Sequence, residues 1–126
     1  MTNFEKVKEF HLAFDLPVMD TPRVPDWELY SLRLKLINEE YEEVAWELEN
    51  RAAIYLDKVA KELADLLYVT YGTAAAFGID IDKAFQVVHE SNMSKLGEDG
   101  KPIYREDGKV LKGPNYKAPD MSQFAS

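Results

Sequence analysis

Glu39-Glu40-Tyr41-Glu42-Glu43 and, after eighteen intervening residues, Glu62-Leu63-Ala64-Asp65 decide how this chain is read. The first run has the form E-E-x-x-E and the second E-x-x-D, each inside a stretch patterned as a long helix. Carboxylates three residues apart lie on one side of a helix, about one turn from each other. On facing helices the two pairs would bring four carboxylates together. That arrangement is costly unless a cation sits among them.

The sequence around these runs supports long helices. Asp26 is a suitable N-cap for a helix reaching about Asn50, with Leu29, Tyr30, Ile37, Tyr41, Val44 and Leu48 as its apolar arc. Residues 51–54 form the turn. The next helix starts at Tyr55 or Leu56 and runs to Phe77, where Gly78 is placed for a left-handed cap. Gly72 inside it costs about 1 kcal/mol relative to alanine and predicts a close helix contact.

Upstream, Thr2 and Glu5 form a capping box for a helix over residues 3–14, with Phe4, Val7, Phe10, His11 and Phe14 at helical spacing. Pro17, Pro22 and Pro25 exclude a helix from the connector that follows, in which Leu16, Val18, Met19 and Val24 are expected to seek burial. Downstream, Asp80 or Asp82 starts a fourth helix carrying Ile81, Ala84, Phe85 and Val88 and ending at Lys95 or Leu96. Glu98-Asp99-Gly100 and Glu106-Asp107-Gly108 are turn sequences, and residues 103–111 suit a short β-hairpin around the second. Residues 112–119 read as extended loop. The expectation is an all-α fold, a four-to-five-helix bundle in a single domain over residues 1–126. Its helical core spans about 3–96 and its irregular tail 97–126.

Composition narrows the chemistry. The chain has 126 residues, 46% of them hydrophobic and 30% charged, as in an ordinary globular domain. It has no cysteine, which excludes disulfides, thiolate metal sites and cysteine nucleophiles. A net charge of −8 argues against nucleic acid as a partner. From Asp26 to Asp65 there are eleven acidic and five basic residues, whereas from Gly97 onward there are five of each. No apolar window is long enough for a membrane span, and the first residues lack a secretory signal, so a cytoplasmic location is expected.

Acidic residues on long helices usually face solvent, and Glu42, Glu47 and Glu49 are read that way. Glu40 and Glu62 differ. At about 100° per residue, Glu40 falls inside the arc of Leu36, Ile37 and Val44, and Glu62 falls between Val59 and the pair Leu66 and Val69. Glu43 and Asp65 each stand about 60° away, at the edges of those arcs. A buried carboxylate must be protonated, paired or metal-bound. Lys58 and Lys61 are the nearest basic groups, too few and mostly outward. A hard divalent cation fits, and Mg²⁺, with Mn²⁺ as a substitute, takes oxygen ligands while keeping positions open for substrate. A di-iron carboxylate site needs Glu-x-x-His, and the residues three before His11 and His89 are Lys8 and Gln86.

Mg²⁺ held by Glu40, Glu43, Glu62 and Asp65 suits phosphoryl chemistry. Glu39, turned about 100° from Glu40 and next to Glu43, is the spare carboxylate placed to act as base toward a water. No glycine-rich phosphate loop occurs, so phosphates would be held by metal and by side chains from the region between Lys95 and Lys117.

The pattern Glu39-Glu40-x-x-Glu43 followed by Glu62-x-x-Asp65 resembles the MazG-like, all-α nucleoside triphosphate pyrophosphatase superfamily, which includes the all-α dimeric dUTPases and the phosphoribosyl-ATP pyrophosphohydrolases. Ser91-Asn92-Met93-Ser94-Lys95, the stretch from Gly97 to Pro102, and Lys112-Gly-Pro-Asn-Tyr116 are similar to a branch labelled phosphoribosyl-ATP pyrophosphohydrolase-like. The resemblance covers nearly the whole chain. It implies a helical homodimer or homotetramer that hydrolyses a nucleotide between its α- and β-phosphates. It also implies that Glu40, Glu43, Glu62 and Asp65 ligate Mg²⁺ and that Glu39 orients or deprotonates the water. Asn92 and Lys95 match a helix exit that touches sugar or phosphate in relatives. Arg105, Lys112 and Tyr116 are further tail candidates for phosphate contact. His11 and Phe14 are either a wall for the base or core packing, and Trp27 and Trp46 are expected in the core or at a subunit interface.

Three functions follow. The first is a Mg²⁺-dependent pyrophosphohydrolase acting on a (d)NTP in nucleotide-pool housekeeping. The second is a phosphoribosyl-ATP pyrophosphohydrolase of histidine synthesis. The third is a non-catalytic, metal-binding helical oligomerisation module.

Overall fold

Local capping sets the helix boundaries. In the computed structural model, which describes residues 1–125, α1 spans Asn3–Ala13, α2 Trp27–Leu48, α3 Leu56–Phe77 and α4 Ile81–Met93. Thr2 and Glu5 form the reciprocal capping box of α1, Asp26 accepts from the Leu29 amide at 2.9 Å to start α2, and Asp80 accepts from Lys83 to start α4. Gly78 closes α3 at φ +70°, a conformation that costs glycine little and other residues more. A single 3-10 turn follows at Ser122–Phe124. Strand pairing among the described residues is one isolated bridge, Tyr104 with Val110. The fold is all-α.

The chain divides into two compact units, Met1–Ile79 and Asp80–Ala125. In the first, α1 and α2 both pack on α3. Its buried residues include Phe4, Val7 and His11 of α1, Arg33 and Val44 of α2, and Gly72, Ala74, Ala75 and Ala76 of α3. The small side chains ending α3 let the proline-rich connector approach its backbone. The Met19 amide donates to the Ala75 carbonyl at 2.9 Å and the Arg23 amide to the Phe77 carbonyl at 3.0 Å. Val18 and Met19 are half-buried there, but Leu16 and Val24 remain exposed, contrary to the sequence expectation.

The apolar arcs are also less covered than their periodicity suggests. On α2 only Val44 of the expected arc is fully buried; Leu29 and Ile37 are half-buried, and Tyr30, Tyr41 and Leu48 are exposed. On α4 Ala84 is buried while Phe85 and Val88 are exposed. Neither tryptophan is in the core: Trp27 is 68% and Trp46 77% exposed. Periodicity reports which faces are apolar, and an arc of that width exceeds what one neighbouring helix covers.

In the second unit the tail is stitched to the end of α4. The Ser91 hydroxyl donates to the Lys117 carbonyl at 2.7 Å, the Lys117 amide donates to Ser94 Oγ at 2.9 Å, and the Gly113 amide donates to the Lys95 carbonyl at 2.8 Å. The hairpin expected over residues 103–111 is present in its hydrogen bonds, Arg105 amide to Lys109 carbonyl and Leu111 amide to Ile103 carbonyl, both 2.8 Å. Gly108 turns it at φ +89°.

Gly72 marks a close helix contact in the first unit. A Cβ there would lie 2.5 Å from Arg33 Nη2 and 2.8 Å from His11 Nε2, both on buried side chains. Gly72→Ala gains about 1 kcal/mol of helix propensity but overpacks this site at a cost of about 1–3 kcal/mol. The expected net effect in urea unfolding is destabilisation, and a stabilised variant would contradict the packing described.

Candidate functional site

Glu40 and Glu43 on α2 meet Glu62 and Asp65 on α3. One carboxylate oxygen from each lies within 4.8 Å of the others, a grouping that could hold a metal ion. The helices that carry them run antiparallel, since residues rising along α2 meet residues falling along α3. Three-residue spacing puts each pair on one helix face, and the register brings the two faces together.

Burial is graded within the four. The Glu62 side chain is only 13% exposed, against 38% for Asp65. Glu40 is half-buried and Glu43 exposed. Glu40 Oε2 and Glu62 Oε2 are shut off from solvent without a hydrogen-bond partner among the described residues. Buried acceptors are rarely left unpaired, and two in one acidic cluster are donors suited to a cation. The donor set is all oxygen, which suits a hard cation. The residues present therefore fit a divalent ion.

Lys61 supplies one positive charge. Its Nζ lies 2.8 Å from Asp65 Oδ2 and 3.4 Å from Glu62 Oε1 while its side chain stays 68% exposed, so the outward lysine the sequence suggested still reaches the cluster from its rim. A flexible four-carbon stem lets the ammonium fold back over one helical turn. The Asp65 hydrogen bond, with the charges of Asp65 and Glu62, holds Lys61 well above its ordinary range. Lys58 instead lies over the Tyr55 ring. One ammonium against four carboxylates leaves the site strongly negative.

That imbalance appears in the proton affinities. Burial, then the charges of Asp65 and Glu62, push Glu40 above the ordinary carboxylate range. Glu43 is also raised, first by hydrogen bonding with Glu62 and then by the charges of Glu62 and Glu40. Both shifts favour the neutral form, the response of carboxylates crowded without a cation.

Beside the cluster, Glu39, Glu42, Glu43, Trp46, Glu47 and Glu62 line an open cavity of about 520 Å³. Glu39 is exposed on its wall. Glu42 and Glu47, expected only to be solvated, share the wall, and so does Trp46. The signal for them was available: 39, 42, 43, 46 and 47 follow i, i+3, i+4, i+7, i+8, one continuous face.

Within the first unit, His11 and Phe14 belong neither to the cluster nor to the cavity wall. His11 is 2% exposed, with Nδ1 2.8 Å from the Pro17 carbonyl, and it joins α1 to the connector. Phe14 is exposed and packs on Phe10 with ring centroids 4.5 Å apart. In the second unit, Asn92 and Lys95 stand at the exit of α4, where the Lys95 carbonyl holds Gly113. Lys112 Nζ lies 4.8 Å from the centroid of the Tyr116 ring. Arg105 is bound by Asp107 in its own turn, through Nε at 2.8 Å and through Nη2.

The sequence matches the family described as Phosphoribosyl-ATP pyrophosphohydrolase over residues 7–92, a span that holds Glu39, Glu40, Glu43, Glu62 and Asp65. The chain belongs to this family. It is a pyrophosphohydrolase, and as a family member it acts on a nucleotide. Among solved structures, a candidate NTP pyrophosphohydrolase from Exiguobacterium sp. 255-15 is similar at 22% identity and a TM-score of 0.47, over 94% of this chain and 89% of that one. No curated protein matches the sequence. No helix among the described residues is long and apolar enough to cross a membrane.

The raised proton affinities have a signed consequence for the metal-free protein. A carboxylate raised in the folded state contributes stability that is complete below its unfolded value and lost as pH rises through its folded value. With chelator present, stability should therefore rise as pH falls from neutrality through the raised range of Glu40 and Glu43 toward the ordinary glutamate value of 4.5. Glu40→Gln should raise the melting temperature at neutral pH and flatten that response. Melting curves in chelator across this range check it, and a wild-type curve that falls continuously toward acid would count against crowding of the four carboxylates.

Proposed function

We propose that this pyrophosphohydrolase is a Mg²⁺-dependent enzyme that hydrolyses a nucleoside triphosphate between its α- and β-phosphates, releasing a monophosphate and pyrophosphate. The observation that carries this reading is the pair of buried, unpartnered oxygens of Glu40 and Glu62 inside a four-carboxylate cluster beside an open cavity. Glu40, Glu43, Glu62 and Asp65 would hold the ion. When bound, Mg²⁺, or Mn²⁺ in its place, neutralises phosphate oxygens and the charge that develops on them.

Glu39 is the general base. It lines the cavity but stands outside the cluster of four, so its carboxylate is free to accept a proton from the attacking water. Water adds across the phosphoanhydride, the bond to the leaving pyrophosphate breaks, and the proton taken by Glu39 returns to solvent. Asn92, Lys95, Lys112 and Tyr116 of the second unit are proposed contacts for sugar and phosphate. Arg105 would have to leave Asp107 to join them. His11 is assigned to packing rather than to the base, because its ring is almost wholly covered. Phe14 keeps an exposed ring for that role.

A second substrate reading, phosphoribosyl-ATP, is supported by the description of the matching family. The reaction is the same and the site residues keep their roles. We further propose a homodimer or homotetramer. Exposed Leu34, Tyr41, Trp46, Leu48 and Leu56 in the first unit support it, Leu56 being 81% and Trp46 77% exposed. Leu34, Tyr41 and Leu48 recur every seven residues on one face of α2, and an exposed apolar stripe of that kind marks association sites.

Pyrophosphate release should be measured with Mg²⁺ over a panel of nucleoside triphosphates plus phosphoribosyl-ATP. Glu39→Gln should lower the rate about 10²–10⁴-fold while leaving the Mg²⁺-induced rise in melting temperature intact. Glu62→Gln should reduce both rate and rise. Turnover of phosphoribosyl-ATP alone would move the assignment to the second substrate. A Glu39→Gln enzyme of wild-type rate would remove Glu39 as base.

A further inference from the structure

Arg33 is the one cation buried in the helix pair that carries the carboxylates, and nothing in the reaction above uses it. It is 7% exposed, and among the described residues no carboxylate oxygen lies within 4.0 Å of its guanidinium. Its bonds go instead to α3. Nε donates to Thr73 Oγ1 at 3.1 Å and Nη2 donates to the Val69 carbonyl at 2.8 Å. The Thr73 hydroxyl donates to the same carbonyl at 2.8 Å, so the three groups form one closed network. Gly72 provides the floor, leaving no room for a Cβ beneath Nη2.

The placement of these groups matches the placement of the acids. Arg33 precedes Glu40 on α2 by seven residues, two turns, so both project from the same face. On α3, Val69 follows Glu62 by the same seven residues. In an antiparallel pair, the Arg33 network and the carboxylate cluster are thus two rungs of one ladder, about 10 Å apart along the axes. If α2 slides or turns relative to α3, the guanidinium loses its two fixed acceptors and Glu40 loses its place opposite Glu62. Apolar side chains tolerate such slippage, because dispersion has little directional preference; a planar fork of donors does not.

We infer that Arg33 is a positioning residue for the cation site: its bonds to Val69 and Thr73 fix the register of α2 on α3 and thereby the spacing of the four carboxylates. This rests on the reading of those carboxylates as metal ligands. The selection of arginine over an apolar residue is then explained. Replacing a buried charge by a well-packed apolar group is often neutral or stabilising, so stability alone does not require it.

The test separates register from stability by measuring Mn²⁺ affinity calorimetrically on protein shown by circular dichroism to be fully helical. Arg33→Met should remain folded and bind Mn²⁺ about tenfold or more weakly, the loss typical when a group that orients metal ligands is removed. Arg33→Lys, with a single point donor, should recover only part of that loss. Thr73→Val keeps the guanidinium and removes one acceptor, so it should weaken binding by a smaller factor and covers the case in which Arg33→Met fails to fold. A folded Arg33→Met, or Thr73→Val, with wild-type Mn²⁺ affinity would overturn the inference. Absence of Mn²⁺ binding by the wild type would overturn the metal-site reading and this inference with it.

Discussion

Four carboxylates drawn within 4.8 Å of each other are the constraint to which the rest of the first unit answers. Like charges at such distances repel one another, most strongly where they are shielded from water. Lys61 offsets part of this from the rim, where its side chain is 68% exposed and screening weakens it. The cluster therefore pushes α2 away from α3 in the absence of an ion. The helices must be held together elsewhere along their length.

They are held at the other end of α3. The carboxylates sit in its first half, where Leu56, Leu63 and Ala64 remain exposed, whereas Gly72, Ala74, Ala75 and Ala76 in its second half are buried. Here α1 packs through Phe4, Val7 and His11, and the connector ties its backbone to Ala75 and Phe77. Small residues are what permit this convergence, since larger side chains would hold the connector out of hydrogen-bonding distance. Arg33 joins the two halves. Its charge is unpaired locally, but the acids two turns away attract it by on the order of 1–2 kcal/mol each at about 10 Å. One α-helix pair thus has an end built for packing and an end built for charge.

Much of this was legible in the sequence, for local reasons. Caps at Thr2, Asp26, Asp80 and Gly78 depend on adjacent residues, so α1 to α4 begin and end within a few residues of expectation. The convergence of Glu40, Glu43, Glu62 and Asp65 follows from three-residue spacing on two consecutive helices. The close approach at Gly72 was likewise readable, though not its partners. What escaped depends on tertiary choices. Arg33 lies on the inner face of α2 but is a charged residue, and its burial requires Val69 and Thr73, thirty-six and forty residues away. The Lys61 contact is a rotamer choice. Glu42, Trp46 and Glu47 share the face of Glu39, but which face borders a cavity depends on what packs on the others. Exposed Tyr41, Leu48 and Phe85 show the same limit: apolar periodicity names a face and does not name its cover.

An acidic chain that acts on a nucleotide faces an electrostatic problem that its own side chains do not solve. The cavity wall carries Glu39, Glu42, Glu43, Glu47 and Glu62, with Trp46 as its uncharged member. A polyphosphate approaching that wall is repelled, and the repulsion grows with each phosphate. Only a change in the sign of the local charge admits it. The same ion that would relieve the crowding of Glu40 and Glu62 would make that change, because a divalent charge beside Lys61 nearly balances the four carboxylates and leaves phosphate oxygens as acceptable further ligands. On the proposed reading Glu39 gains from this as well: it stands outside the cluster, where it would serve as proton acceptor while the other four would be engaged with the ion. On that reading, metal binding, substrate entry and base function would all depend on one arrangement of α2 against α3.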